Sequence, residues 1–432
     1  MLTAIIFIIT IGILIFVHEL GHFLTARRNG IRAEEFGFGF PPRIFGIQRY
    51  SGKKIEKVGE KEEETTEILD LKNEDETEII QEKIVDKITE IDEVVPIKKW
   101  RVIWGPRDGD NENEAKDRKE IREHQYEKGT IYSLNLLPLG GFVKIKGEDG
   151  ENKDPDSFAS KGAWPRIKVL AAGVLMNFLL AWFLIAIVMI LGIPEAKESE
   201  MILEGAKVQI SGVVSGSPAE TMGLKIGDEI VLAQKDFQIK KLEDIRNFIN
   251  ENRGQEITLK IKRGKENLEL KGMPAEKVGE NQGALGIIYS QIVMEKYPFY
   301  KAIWESLKTV LNLIWMMLSA LYLILKNLAT GGGGVGMEVA GPIGIAVLTG
   351  QVVSLGLVYI LQFVALLSVN LGLINILPIP ALDGGRILFI LIEKIKGSPV
   401  SQKVEQTFHF VFFALLISLM IFITYRDILK FF

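Results

Sequence analysis

Four stretches of the chain stay apolar for the length of a membrane crossing, and the sequence between them turns alternating or charged. They are residues 1–27, about 168–193, about 355–379 and 406–425, each near the roughly 20 residues a spanning helix needs. A shorter uncharged run, Thr309 to Leu325, is less clear. The expected fold is a polytopic α-helical membrane protein of about four transmembrane helices, with polar regions inserted between them.

Between the second and third apolar stretches, residues 203–290 change period. Val208–Val214 and Glu256–Arg263 alternate as strands, Lys225–Leu232 reads as a turn into a strand, and Leu242–Ile249 has helical spacing. This order, around Ser217-Pro-Ala-Glu-Thr-Met-Gly-Leu-Lys-Ile-Gly-Asp228, resembles a single bacterial PDZ domain, an α+β fold that binds extended peptides by adding a strand. Residues 51–128 form a charged insertion, acidic up to Glu93. Ile79, Ile80, Ile84, Val85, Ile88 and Ile91 recur there at helical spacing, so an amphipathic helix is expected; Trp100–Trp104 suits a strand. The insertion is expected to be solvated and without catalytic role, the alternative being a partner-binding module. Residues 28–50 and 129–160 flank it as a β-rich, membrane-associated region. Within it, Gly129–Ile145 reads as two short strands around a bend at Pro138, Gly140 and Gly141. Residues 300–350 are expected to hold membrane-associated helices and a flexible joint at Gly331–Gly334.

Composition sharpens this picture. Of 432 residues, 47% are hydrophobic and 25% charged, which suits a membrane core with polar attachments. A net charge of −4 gives no sign of nucleic-acid binding. The absence of cysteine excludes disulfides and thiolate metal sites, leaving His, Asp and Glu as strong ligands. No Lys or Arg precedes the first apolar run, and cleavage after it would remove both of its histidines. It is therefore read as a retained anchor, not a signal peptide. Basic residues after the first span (Arg27, Arg28, Arg32, Arg43) and before the second (Lys161, Arg166, Lys168) place those ends in the cytoplasm. Residue 1 and the PDZ-like module (203–290) then lie outside. For the third span (355–385) to bring Asp383 to the inner side, residues 300–328 cannot be a clean crossing.

The chemistry begins at His18-Glu19-Leu20-Gly21-His22. On a helix, positions i and i+4 share a face, so both histidines can address one metal ion, and Glu19 stands where a zinc peptidase keeps its general base. Ionisable groups at membrane depth are costly and mark functional sites; the competing view makes Glu19 a snorkelling residue with two bystander histidines. Zinc with three protein ligands keeps a fourth position for water. Asp383 is the preferred third ligand, because Pro378 and Pro380 interrupt the helix before it and Gly384 and Gly385 allow close approach. Its alternative role is the N-cap of the next helix. His124 and His409 are weaker candidates.

Together, His18–His22, Asn375-Ile-Leu-Pro-Ile-Pro-Ala-Leu-Asp-Gly-Gly385, the PDZ-like module and Leu137-Pro-Leu-Gly-Gly-Phe-Val-Lys-Ile145 resemble the site-2 protease family, of the bacterial RseP type. That resemblance implies an intramembrane zinc endopeptidase of the bacterial plasma membrane, with zinc held by His18, His22 and Asp383 and Glu19 as base and acid. It implies substrate contacts at Asn370, Asn375, Pro378, Gly140 and Gly141. Gly173-Val-Leu-Met-Asn177 matches a further motif of the family. Its substrates would be single-span membrane proteins already trimmed by another protease, such as anti-sigma-factor-like proteins or signal-peptide remnants. Two departures stand out: the insertion at 51–128, and one PDZ-like copy where some members have two. The alternatives are a membrane zinc protease whose HExxH faces the cytosol and whose third ligand is a downstream Glu, or a non-catalytic PDZ-bearing scaffold.

Overall fold

The computed structural model describes residues 2–71, 79–105, 127–148, 150, 152, 154–197, 206–214, 216–233, 237–239, 242–264, 266–276, 283–330, 341–398 and 400–431. The chain falls into two units, one of residues 32–138 with 142–146 and one holding the remainder.

The smaller unit is a three-stranded sheet in the order β2–β1–β3, built from β1 (Ala33–Leu71), β2 (Ile79–Trp104) and β3 (Glu127–Ile145). Strands β1 and β2 form a long antiparallel ladder running from Phe45↔Trp104 to Leu71↔Ile79. The helix expected over 79–91 is thus a strand. The same isoleucines and valines that mark a helical period are β-branched, and the partner strand supplies the pairing that decides between the two. The two short strands expected around Gly140 are likewise one strand, with Gly140 at φ 101° and without an interruption.

In the larger unit the helices are α1 (Leu2–Arg28), α2 (Ala163–Leu191), the short α3 (Pro218–Thr221) and α4 (Leu242–Glu251), then α5 (Phe299–Thr330), α6 (Pro342–Leu355), α7 (Leu357–Ile376), α8 (Asp383–Lys396) and α9 (Gln402–Phe431). Among the described residues, 5 helices are long and apolar enough to cross a membrane: α1, α2, α5, α7 and α9. The fifth is α5, set aside above as membrane-associated; it is one continuous helix of 32 residues. The apolar stretch at 355–379 is carried by α7, which Gly356, at φ 109°, separates from α6. Exposed side chains such as Phe410, Phe413, Leu415 and Ile421 run along α9, as a lipid-facing helix requires. Helix α2 is central, packing on α1, α5, α7 and α8. Small residues permit this: a Cβ at Gly21 would lie 2.4 Å from the Ala172 carbonyl oxygen, and Ala181, Ala302 and Ala365 are fully buried where α2, α5 and α7 meet.

The second sheet has the order β4–β10–β5–β6–β8–β9, with β7 paired to β6. Its strands are β4 (Ile193–Lys197), β5 (Lys207–Val213), β6 (Glu229–Ala233), β7 (Phe237–Gln238), β8 (Ile257–Arg263), β9 (Glu266–Gly272) and β10 (Ile287–Glu295). Ile210, Ile230, Ile245, Ile257, Leu259 and Ile261 fill its core beside α4. The fully buried Asp228 takes both ends of the Arg263 guanidinium at 2.7 Å and the Lys225 N–H at 2.8 Å, and the carboxylate pushes the guanidinium pKa further up.

Candidate metal centre

The centre starts in the inner face of α1, where Leu14, His18, Gly21 and His22 are buried one turn apart. The contact at Gly21 brings α2 close enough for His22 Nδ1–H to donate to the Val169 carbonyl at 2.8 Å. This fixes the tautomer and leaves the Nε2 lone pair free to bind a ligand. His18 meets Asn177, fully buried on α2, whose amide nitrogen lies 3.2 Å from His18 Nδ1 while its Oδ1 has no partner. Exchanging the two amide ends gives Oδ1 a donor and makes His18 Nδ1 the N–H that orients the ring; we assign the amide so. Ser368 Oγ donates to the Asn177 backbone carbonyl at 2.8 Å, tying α7 to the same point.

Asp383 arrives from the other side. Helix α7 is capped at its C-terminus by Leu377, whose ψ of 143° is the extended conformation that a following proline demands. The turn through Pro378 and Pro380 folds back on itself, so a Cβ at Gly384 would stand 2.2 Å from the Leu377 carbonyl oxygen and one at Gly385 2.3 Å from that of Ile379. The N-cap of α8 is Leu382, which leaves the Asp383 carboxylate free of that duty. Its Oδ2 lies 3.0 Å from His18 Nε2 and 3.3 Å from His22 Nε2, and the two Nε2 atoms are 3.1 Å apart.

These three residues are the described group whose ligand atoms cluster closely enough to hold one ion. The donor set of two imidazole nitrogens and a carboxylate oxygen suits zinc. Gly173 supplies a further sign of fit: a Cβ there would lie 2.5 Å from His22 Nε2 and 2.8 Å from His18 Cε1, so only glycine leaves room beside both rings. Glu19, half-buried, interacts electrostatically with His18, His22, Asp383 and Glu148. Glu148 pairs with Arg386, three residues beyond Asp383. A cavity of about 720 Å³ opens behind α8, lined in part by Glu148, Arg166, Arg386, Glu393 and His409.

The other candidates fall elsewhere. His409 lies outside the cluster and accepts a hydrogen bond from the Ala381 N–H at 2.8 Å. His124 is outside the described residues. Asn370 is exposed on α7, Asn375 is half-buried in its last turn, and Pro378 is exposed in the turn after it. Gly140 and Gly141 are buried, and a Cβ at Gly140 would meet Ile15, one helical turn before His18, at 2.6 Å. The asparagine and glycine that face the imidazoles, Asn177 and Gly173, lie four residues apart on one helix face. That spacing, in an apolar stretch that otherwise carries no polar side chain near its middle, is the signal that could have placed them in the site.

Spanning-length helices around a buried cluster of two histidines and a carboxylate define a membrane protein with a candidate metal centre. The chain belongs to Peptidase family M50, whose model matches residues 6–54 and 118–419. It is 32% identical over 453 aligned residues to the regulator of sigma-W protease RasP of Bacillus subtilis, covering 100% of this chain and 99% of that one. The zinc metalloprotease RasP of Oceanobacillus iheyensis is 32% identical with 100% of both chains covered. That of Geobacillus kaustophilus is 30% identical over 99% of this chain and 97% of its own. The protein is thus a membrane-bound, zinc-dependent intramembrane metalloprotease.

Proposed function

We propose that His18, His22 and Asp383 hold the zinc, that Glu19 is the general base and acid, and that the substrate is a single-span membrane protein already shortened by another protease. The observation that carries this is the convergence of three ligand atoms within 3.0 to 3.3 Å of one another, with glycine beside them. Zinc held by His18, His22 and Asp383 would polarise the scissile carbonyl and lower the pKa of water toward neutrality. Glu19, next to His18 on α1, takes the proton of the attacking water on its carboxylate and returns it to the leaving amide nitrogen. His22 and His18 keep their Nδ1–H groups on Val169 and Asn177, so neither ring can rotate away.

A transmembrane substrate hides its peptide bonds in a helix and must unwind locally. Strand β3 lies at the edge of its sheet and carries Gly140 and Gly141, so an extended segment can add to it there by backbone hydrogen bonds. Asn370 and Asn375 on α7, and Pro378 in the turn after it, are the further residues we assign to substrate binding. The basic residues that follow α1 and precede α2 support a site near the cytoplasmic face of a bacterial plasma membrane, and a PDZ-like sheet domain outside. The name of the Bacillus relative supports substrates of the anti-sigma-factor kind; signal-peptide remnants have the same single-span form.

The test pairs two variants in purified protein. Glu19→Gln should abolish cleavage of a single-span substrate, a loss of at least about 100-fold as for other general bases, while zinc content stays at the wild-type level. Asp383→Ala should lose both. Cleavage by Glu19→Gln at a comparable rate, or full zinc retention by Asp383→Ala, refutes the assignment concerned.

A further inference from the structure

Ala381 is the one non-glycine residue with positive φ among the described residues, at 84°. An L-residue with a Cβ pays for that conformation and needs something to impose it. The turn that contains it is short of internal donors, because Pro378 and Pro380 carry no N–H. Ile379 N–H bonds to the Leu377 carbonyl and Leu382 N–H to that of Ile379, both inside the turn. The Ala381 N–H instead crosses to α9 and donates to His409 Nδ1 at 2.8 Å. Asp383 follows two residues later. The ring of His409 is held in turn, with Phe389 of α8 at 5.8 Å between centroids and Glu405 at 3.7 Å from Nε2.

We propose that His409 is a positioning residue for the metal centre: by accepting the Ala381 N–H it holds the left-handed turn that delivers Asp383 to His18 and His22. A histidine serves here because Nδ1 is an acceptor close to its own backbone, and the flat ring fits against Phe389. This inference rests on Asp383 being a zinc ligand, as proposed above. It gives α9 a part in the site although no residue of α9 belongs to the described ligand group.

The experiment uses the full-length, zinc-loaded protein in detergent and follows zinc release to a chelator, with thermal unfolding as a parallel measurement. His409→Phe keeps the ring and its packing but removes the acceptor; zinc release should become about tenfold faster, the size typical of lost outer-sphere support. His409→Asn, whose Oδ1 can stand close to the place of Nδ1, should return release to near the wild-type rate. Adding Ala381→Gly to His409→Phe should recover much of the loss, because glycine takes positive φ without a Cβ clash. The proposal is overturned if His409→Phe releases zinc as the wild type does, or if His409→Phe and His409→Asn are equally impaired. Asp383→Asn is run beside them: if it retains zinc, the ligand assignment itself fails, a result distinct from either of those.

Discussion

Gly173 has no side chain, and the proposed metal centre depends on that absence. The histidine rings occupy the space where its Cβ would stand, so the first atom of any side chain competes with Nε2 of His22. Gly173→Ala should therefore weaken zinc retention by at least about tenfold, measured by chelator competition, because α2 must withdraw from α1 and carry the Val169 carbonyl away from His22. Undiminished zinc binding in this variant would show that the rings have slack not visible in the helix contact. At this scale the sequence displayed the candidate residues: His18, Glu19, His22 and Asp383 stand out because charged or ligating groups are rare in apolar runs, and the fold brings His18, His22 and Asp383 together. It concealed the groups that orient them. The Val169 carbonyl belongs to the backbone, which is the same for every residue, and His409 acts on Ala381, a partnership made only by the packing of α8 and α9.

Elements were legible where one period governed them. Helices α1, α2, α7 and α9 follow from apolar length, and β5, β6, β8 and α4 from alternation or helical spacing. The insertion failed that test, because Ile79–Ile91 satisfies a helical period while its β-branched residues and a partner strand 26 pairs long favour an extended chain. A period is a local property, and strand pairing is decided by a segment elsewhere. The M50 match leaves out residues 55–117, which contain most of this ladder's far end. Replacing residues 56–93 with Asn-Gly would close the hairpin in a two-residue turn and preserve the register from Phe45↔Trp104 to Ile55↔Val94. The shortened protein should keep its zinc and cleave a model substrate within about threefold of wild type, in line with the small entropic effect of changing loop length. A loss of zinc would assign the distal hairpin a structural part in the site; a loss of cleavage alone would assign it a part in substrate handling.

On the scale of the whole molecule, the second sheet is joined to the helices more firmly than a tethered domain would be. Its strand β4 leaves α2 directly after Gly192, β10 leads into α5, and the two pair from Ile193↔Glu295 to Lys197↔Gln291. The Tyr297 N–H closes the base by bonding to the Met189 carbonyl at 2.9 Å. A second support lies at the end of α6, where Leu355 and the Ser354 carbonyl crowd Gly227 and Gly264 of the sheet's turns. Helix α6 packs on α1 and α7, the helices that carry His18 and Asn375. A domain so anchored suits a fixed barrier better than a mobile recruiter, and we hypothesise that it covers the entrance to the site and excludes membrane proteins that still carry a bulky external domain. Replacing residues 198–290 with Asn-Gly keeps the β4–β10 ladder closed while removing the rest of the sheet. If the domain is a barrier, this variant should cut an untrimmed single-span substrate that the wild type refuses, and its rate on a trimmed stub should stay within about threefold, since uniform binding and chemistry are untouched. If it still refuses the untrimmed protein and loses the stub as well, the domain recruits substrate and the barrier idea fails.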